Sequence, residues 1–375
     1  MVIGGDLKFI VDPDPKWVEH ATKRFAAPFV GRPYDRIDVD PFLLSEAGYL
    51  AGFSAKEWYL NPKKGIASVI AAHEAFDLIP VAHWWPTIHV WEQELGNKLE
   101  WRENQPPHIK ENAIKTPEDI DKLEVVSEEE IKKGPTYTSF VEAFDYVRDN
   151  YPNWFVPLYF AFHPEANASQ LIGLEKFLVM TIRNPPLCHK LIQKFMETSL
   201  NGCRALVERY GSAMIVTGST VAGSDLLGPK QVKEFGVRYV SELVKKALKI
   251  GAGPQIWYHH CGNHARDWEL WKDTIFTPFT VMQIGYEGRK PFPLEKLKQL
   301  YGRRATLMGN VDTMVAYSGS PTQVYEMAKE QILAAKDSPY GFISGLACEC
   351  PHGSPPANIH ALVRAARDFG KYEGD

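Results

Sequence analysis

The sequence predicts an α/β protein that folds as a (β/α)8 TIM barrel. From residue 154 onward, short apolar runs alternate with amphipathic helical patterns, and two fainter runs before them bring the count to eight. Polar side chains crowd the carboxyl ends of these runs, where barrel enzymes keep their active sites. An open doubly wound sheet is the alternative, but no Gly-x-Gly-x-x-Gly follows a run and no Walker-type loop occurs.

The N-terminal part of the chain carries the weaker patterns. The elements expected there are, in order, an irregular extension over 1–35, a strand near 37–44, a helix over 62–76 and a strand near 78–83. Residues 110–150 turn acidic and polar, as in Glu128-Glu129-Glu130, which indicates a solvated insertion. We expect residues 1–375 to form one barrel domain that carries this extension and this insertion.

The later part of the chain carries six stronger strand patterns. They are mostly apolar, as expected for strands that are buried on both faces of a parallel sheet. The runs span 155–162, 213–217, 255–259, 280–286, 305–308 and 341–346. Helical patterns follow them, and Ser320 with Gln323 forms a capping box at the start of one.

Composition excludes several classes of protein. The chain has 42 Lys and Arg against 46 Asp and Glu, a net charge of −4, which argues against a nucleic-acid binder. No apolar run is long enough to span a membrane, and Met1 to Lys8 lacks the pattern of a signal peptide. Five cysteines, an odd number, do not make a disulfide framework. We therefore expect a cytoplasmic protein with no membrane partner.

The sharpest local signal is His259-x-Cys261 at the end of a predicted strand. Alternate residues of a strand point to the same side, so this imidazole and this thiol can reach one ion while His260 faces away. Cys348 or Cys350, at the end of the last strand, can supply a third ligand. Two thiolates and an imidazole with an open fourth position are typical of catalytic zinc. Packing of small buried cysteines is the competing interpretation.

Other chemically capable side chains follow the strands or cluster early in the chain. Aromatic rings can line a pocket for a flat substrate, although packing explains each ring equally well. Glu92 is a candidate for the open zinc position. The candidate catalytic residues are Tyr286, Asp312 and Glu92, and the candidate substrate-binding residues are His163, Trp84, Trp85, Asn310 and Glu287.

Two motifs carry a family resemblance. Gly309-Asn310-Val311-Asp312 and the closing Cys348-Glu349-x-Pro351-x-Gly353-Ser354-Pro355-Pro356 resemble the uroporphyrinogen decarboxylase superfamily, and the likeness runs from about residue 30 to the C-terminus. The resemblance implies a (β/α)8 barrel. True decarboxylases carry an N-terminal Arg-Gln-Ala-Gly-Arg segment that is absent here, whereas the segment from Gly31 to Arg36 looks like the opening of the methyltransferase branch.

The methyltransferase branch is corrinoid-linked and keeps zinc on a His-x-Cys pair and a later Cys. The resemblance therefore implies His259, Cys261 and Cys348 as ligands, and the closing motif favours Cys348 over Cys350. No Asp is followed two residues later by His, so the corrinoid-binding motif is missing and cobalamin must arrive on a separate protein. The implied function is methyl transfer between that cobalt and a small substrate, such as a methoxylated aromatic, another ether or amine, or a thiol acceptor. A metal-free decarboxylase or lyase is the alternative.

Overall fold

The apolar runs form a curled, mainly parallel sheet in the computed structural model, which describes residues 13–30 and 34–372. Residues 1–12 and the predicted branch-specific positions 31–33 lie outside the described residues. The strands are β1 (Asp38–Asp40), β2 (Lys98–Arg102), β3 (Gln105–Glu111), β4 (Leu158–Phe162), β5 (Met214–Ser219), β6 (Ile256–Asn263), β7 (Thr280–Glu287), β8 (Lys290–Pro291), β9 (Thr306–Met308) and β10 (Phe342–Gly345). The sheet runs in the order β1-β10-β9-β7-β6-β5-β4, and β8 pairs antiparallel with β7.

Helices alternate with these strands and cover the outside of the sheet. The longest ones begin at proline, whose missing N–H leaves no bond unmade in a first helical turn. The helices are α1 (Pro15–Ala26), α2 (Ser45–Leu50), α3 (Ala55–Leu60), α4 (Pro62–Phe76), α5 (Glu128–Ile131), α6 (Pro135–Asn150), α7 (Pro164–Ile172), α8 (Leu174–Arg183), α9 (Pro185–Tyr210), α10 (Pro229–Gln231), α11 (Arg238–Ile250), α12 (Leu294–Tyr301), α13 (Thr313–Ser318), α14 (Pro321–Ala335) and α15 (Pro356–Phe369). The predicted α/β barrel class is confirmed.

The strand predicted near 78–83 is not formed. Ile79 donates its N–H to the carbonyl of Val39 in β1, at 3.1 Å, but the next residue is Pro80, which has no N–H to continue a ladder. The chain instead passes between β1 and β4 as extended, irregular backbone. The Trp85 ring of this segment stacks on the Phe160 ring of β4, with centroids 4.2 Å apart. A side-chain contact therefore joins the segment to β4, where no backbone ladder forms.

Two further stretches differ from their predictions. The extension 1–35 is not irregular throughout, because Asp14 caps helix α1 within it. The stretch 110–150 is not solvated throughout. Helix α6 buries Phe140, Ala143 and Phe144, which share one helical face and pack with the rest of the core. The acidic residues before α6 dominate the composition of that stretch and conceal the apolar face of the helix.

The core lies inside the curled sheet and between the sheet and its helices. Side chains of the central strands, such as Ile215, Trp257 and Met282, are almost completely buried. No helix among the described residues combines the length and the apolar character that crossing a bilayer requires.

A buried group of charges ties α1 to the bottom of the sheet. Arg24 donates to Asp38 at 2.8 Å and to Asp77 at 3.0 Å, and Arg36 donates to Asp77 at 2.7 Å. Partial burial opposes ionisation of Asp77, but the two guanidinium groups outweigh it and hold the pKa of that carboxyl well below its usual range. The ionised form of Asp77 therefore stabilises the fold above about pH 4, and this contribution is lost as the pH falls.

We predict that Asp77→Asn lowers the free energy of unfolding at pH 7 by about 3 kcal/mol, because it leaves the buried Arg36 guanidinium without its acidic partner and leaves Arg24 paired mainly with Asp38. Asparagine tolerates the left-handed backbone of this position (φ 58°), so the change isolates the charge. Urea unfolding measures the free energy of unfolding of both proteins. The difference in this free energy between wild type and Asp77→Asn should become smaller as the pH falls from 5 to 3. Asp337→Asn, which breaks an exposed pair with Lys298, is the control and should change stability little. An equal effect of both changes would contradict this account.

Candidate metal centre

The carboxyl ends of β6 and β10 bring three predicted metal ligands together. The Sγ atoms of Cys261 and Cys348 are 3.4 Å apart, and Cys348 Sγ is 3.6 Å from Nε2 of His259. The three ligand atoms all lie within 4.8 Å of one another, and both cysteines are free thiols. Parallel strands end at the same face of a barrel, which is why residues 87 positions apart can meet.

These separations suit a tetrahedral zinc ion. With Zn–S bonds of about 2.3 Å and a Zn–N bond of about 2.0 Å, ligand atoms around such an ion lie about 3.5–3.8 Å apart. The observed distances of 3.4 and 3.6 Å are close to that range. Three protein ligands leave a fourth position for a substrate atom, which is the arrangement of catalytic rather than structural zinc. The residues present therefore fit the metal that the sequence implied.

Gln283 of β7 orients the imidazole of His259. Its Oε1 lies 2.6 Å from Nδ1 of His259, and its Nε2 donates to the Leu346 carbonyl at 2.6 Å. Because that amide nitrogen is committed to a carbonyl, Oε1 must be the acceptor and Nδ1 of His259 must carry the proton. Nε2 is thereby left with its lone pair toward the thiols, as a metal ligand requires. Sequence reasoning missed Gln283, whose only signal is a lone polar residue inside an apolar strand.

His264 holds the backbone of Cys261. Its Nε2 lies 3.1 Å from the Cys261 carbonyl oxygen, and its Nδ1 lies 2.6 Å from Oδ2 of Asp267. Both ring nitrogens of His264 therefore face an oxygen atom, which fixes the ring beside the Cys261 backbone. Asp267 also accepts from Trp271 Nε1 at 3.1 Å, and all of these side chains are buried. These contacts therefore hold the end of β6, which carries Cys261.

Close packing of β5 against β6 fixes the position of the His259 backbone. A Cβ atom at Gly218 would lie 1.9 Å from the carbonyl oxygen of His259, so only glycine permits this approach. His260, the next residue, points to the opposite side as predicted and packs on Trp271 with ring centroids 4.1 Å apart. Strand alternation thus separates a ligand histidine from a core histidine.

The electrostatics of the cluster favour a thiolate. Contact with the Cys261 thiol and with the His259 imidazole holds the pKa of Cys348 well below its usual range, although burial opposes this shift. Burial also disfavours the charged form of His259, but its contacts with Cys348 and Gln283 outweigh that effect and raise its pKa. The half-buried cluster therefore favours a thiolate at Cys348, which suits the binding of a cation.

A cavity of about 200 Å³ opens directly over the cluster. Most of its walls are apolar or aromatic, and a few polar groups face it. Its lining residues are Phe42, Leu44, Trp85, Ile88, Phe160, His163, Val216, Thr217, Thr220, His259, Cys261, Cys348 and Glu349. A small, mostly apolar cavity with a few convergent polar groups is the usual form of a small-molecule site.

Strained backbone shapes one wall of this cavity. Phe42 and Leu44 have φ values of 50° and 42°, in the left-handed region that non-glycine residues rarely adopt. Asp40 accepts from the Phe42 N–H at 2.9 Å, and the Cys350 N–H donates to the Phe42 carbonyl at 2.9 Å. These bonds hold the Phe42 ring edge-on to the His259 ring, with centroids 5.6 Å apart. Such strain is characteristic of functional sites.

Glu349 is a second residue to which sequence reasoning assigned no role. It follows Cys348, lines the cavity and accepts from the Ser45 hydroxyl at 3.3 Å. Burial, together with the nearby Cys348, raises the pKa of this carboxyl to about 8. Its only sequence signal is its place inside the closing motif.

The structure brings two of the predicted substrate-binding residues to the cavity. Trp85 forms part of its aromatic wall, and His163 lies beside it with Nδ1 3.3 Å from the Thr220 hydroxyl. Burial holds the pKa of His163 well below its usual range, so its imidazole is neutral. Cys350 is buried outside the cluster of three ligands, so the geometry selects Cys348 as the third one.

Three predicted residues have structural positions instead. Trp84 points away from its neighbour Trp85 and is buried in the core, where its indole N–H faces the Trp58 carbonyl at 3.4 Å. The side-chain amide of Asn310 donates to backbone carbonyls at the end of β7, including that of Gly285 at 3.0 Å. Asp312 caps helix α13 by accepting from Met314 N–H at 2.7 Å. Their positions in the sequence did not show whether these side chains point into the cavity or away from it.

The remaining predicted residues also lie outside the cavity lining. The Tyr286 hydroxyl is 3.1 Å from that of Thr313, and Glu287 forms an ion pair with Lys296. Glu92 is completely buried, and its two oxygens accept from the side-chain amides of Asn167 and Asn97 at 2.5 and 2.8 Å. Oε2 of Glu92 also lies 3.2 Å from Nδ1 of His89. Both oxygens of Glu92 are thus hydrogen-bonded to these neighbours, and a place for Glu92 at the open zinc position stays a prediction.

The chain matches a known protein family over most of its length. The family described as uroporphyrinogen decarboxylase (URO-D) matches residues 20–369. A methylated-thiol–coenzyme M methyltransferase from Methanosarcina mazei is 26% identical over 280 residues, which cover 73% of this chain and 68% of that protein.

A solved structure described as a methyltransferase from Methanosarcina mazei has the same fold. It superimposes with a TM-score of 0.76, covering 93% of this chain and 99% of that one, at 20% sequence identity. The match confirms the predicted barrel. Both relatives are named as methyltransferases. The family match covers well over half of the chain, so the chain belongs to the uroporphyrinogen decarboxylase family.

Proposed function

We propose that this protein is a zinc-dependent methyltransferase that moves a methyl group between a small substrate and the cobalt of a corrinoid carried by a separate protein. The observation that carries the proposal is the meeting of His259, Cys261 and Cys348 at distances that suit tetrahedral zinc beneath an apolar cavity. Similarity to a methyltransferase named for a methylated thiol supports the reaction class. We place the protein in the cytoplasm, with the corrinoid protein as its partner.

The chain's own residues have defined tasks in this proposal. His259, Cys261 and Cys348 would hold zinc, which when bound supplies a Lewis acid that stabilises negative charge on the substrate heteroatom. Gln283 keeps Nδ1 of His259 protonated, and His264 holds the Cys261 carbonyl. The rings of the cavity wall exclude water and place the methyl group facing the mouth of the barrel, where the corrinoid protein docks.

The substrate is a small molecule whose methyl group is bound to oxygen, nitrogen or sulfur. The stacked pair Trp85 and Phe160 favours a methoxylated aromatic compound, whereas the name of the relative favours a thiol or a methylated thiol. Both classes present a heteroatom that can occupy the fourth zinc position. The proposal covers transfer in either direction.

Metal content is the first test of the metal site. We expect about one zinc per chain by mass spectrometry in protein purified without added metal. His259→Ala and Cys348→Ala should both lose it. Cys350→Ala changes a buried cysteine of the same loop that lies outside the cluster, so this control should keep its zinc. The proposal would be overturned if the wild type contained no zinc, or if its zinc were kept in both ligand variants. Either result would favour a metal-free decarboxylase or lyase.

Gln283→Leu should weaken zinc binding about 10- to 100-fold, because removal of the acceptor frees the His259 ring to rotate or to change tautomer. Competition with a chromophoric chelator measures the affinity. Gln331→Leu is the matched control, since the Gln331 side chain accepts from Asn310 N–H at 3.1 Å and contacts no ligand. Equal zinc affinity in wild type and Gln283→Leu would show that Gln283 does not orient the ligand.

Methyl transfer itself can be followed by the visible spectrum of cobalamin. Zinc-loaded wild type should methylate cobalt(I) cobalamin from a methoxyarene or from dimethyl sulfide, and Cys261→Ala should not. The isolated chain should show no corrinoid spectrum, because the sequence lacks the corrinoid-binding motif. Zinc-loaded protein that transfers no methyl group from any ether, amine or thioether would contradict the reaction class while leaving the metal site intact.

A further inference from the structure

We infer that the substrate which enters this cavity is uncharged, and that the site rejects methyl compounds bearing a carboxylate or sulfonate close to the methyl group. The inference rests on the proposed function and narrows its substrate class. It depends on the charge of the groups that line the cavity rather than on the metal.

The acidic groups of the cavity are not matched by cations. No Lys or Arg side chain lines it within the part of the chain that the structure describes. The lining instead contains the two thiols Cys261 and Cys348 and the carboxyl of Glu349. Each of these groups is either neutral or negative, and none is positive. Binding zinc at the thiols neutralises them without leaving a charge to hold a second anionic group.

The polar groups that could act as donors are already engaged. His259 donates from Nδ1 to Gln283, and its other nitrogen faces the thiols. His163 lies 3.3 Å from the Thr220 hydroxyl. What remains exposed to a substrate is mainly the apolar wall. With the open zinc position taken by the substrate heteroatom, a separate carboxylate or sulfonate placed here would lose its water shell and gain no charged side chain as a partner.

The shape of the wall favours flat or small apolar compounds. Trp85 and Phe160 stack with only 8° between their planes, and Phe42 closes the opposite side over His259. The hydrogen bonds of Asp40 and Cys350 with the Phe42 backbone hold that ring in place. Aryl methyl ethers and simple methyl sulfides have the size and polarity that this cavity accepts.

Binding of matched probes tests the inference. Calorimetry on zinc-loaded wild type should compare anisole with 2-methoxybenzoate, and ethyl methyl sulfide with 2-(methylthio)ethanesulfonate. We expect the uncharged member of each pair to bind at least about 100-fold more tightly, since the anion would be buried unpaired. Equal binding within the pairs, or tighter binding of the anions, would overturn the inference.

A variant that supplies the missing charge makes the test sharper. Ile88 lines the cavity and is half-buried, so an arginine there can enter from the rim. Ile88→Arg should tighten binding of both anions at least about tenfold, whereas the matched control Ile88→Met should keep the wild-type preference. An unchanged preference in Ile88→Arg would show that the missing counter-charge is not the cause and would overturn the inference.

The failure of this inference can be told apart from failure of the proposed function. Zinc content and cobalamin methylation are measured on the same samples. If the protein holds zinc and transfers methyl groups but binds the anions as tightly as the neutral probes, only the inferred substrate class is overturned. Protein without zinc overturns the proposed function, and the same binding comparison on that protein still decides the charge preference.

Discussion

The contact between the thiols of Cys261 and Cys348 is the constraint on which the rest of the site depends. Two free sulfur atoms 3.4 Å apart in a half-buried position repel each other once deprotonated, unless a cation lies between them. The barrel forces this contact because both strands end at one face. Glycine at position 218 lets the neighbouring strand approach, and Gln283 and His264 hold the ligands from behind.

Charge is distributed unevenly over the molecule. At the bottom of the barrel, Arg24 and Arg36 are paired with Asp77 and fasten α1 to the sheet. Above the thiols, the described lining of the cavity is mostly apolar and aromatic and includes no Lys or Arg. The first arrangement stabilises the fold. In the second, the three candidate metal ligands and Glu349 are the groups that could take part in chemistry. Because the two groups of charges lie at opposite ends, the stability of one end need not limit the chemistry of the other.

Most of the fold could be predicted from the sequence because buried parallel strands are continuous apolar runs. The runs after residue 154 became strands within a few residues of their predicted bounds. The run near 78–83 did not, since Pro80 cannot donate to a ladder, and only side chains such as Trp85 bridge that gap. The acidic residues before α6 concealed its buried face, which includes Phe140.

For the site, the sequence by itself determined the ligand types and their parity: His259 and Cys261 share a side of one strand, and a cysteine follows the last one. The tertiary structure decided which cysteine reaches the cluster, that Gln283 orients the imidazole, and that Trp85 rather than Trp84 lines the cavity. Periodicity is a local property of the chain and can be read along it. Contacts between residues on different strands depend on barrel closure and side-chain direction, which no local pattern encodes.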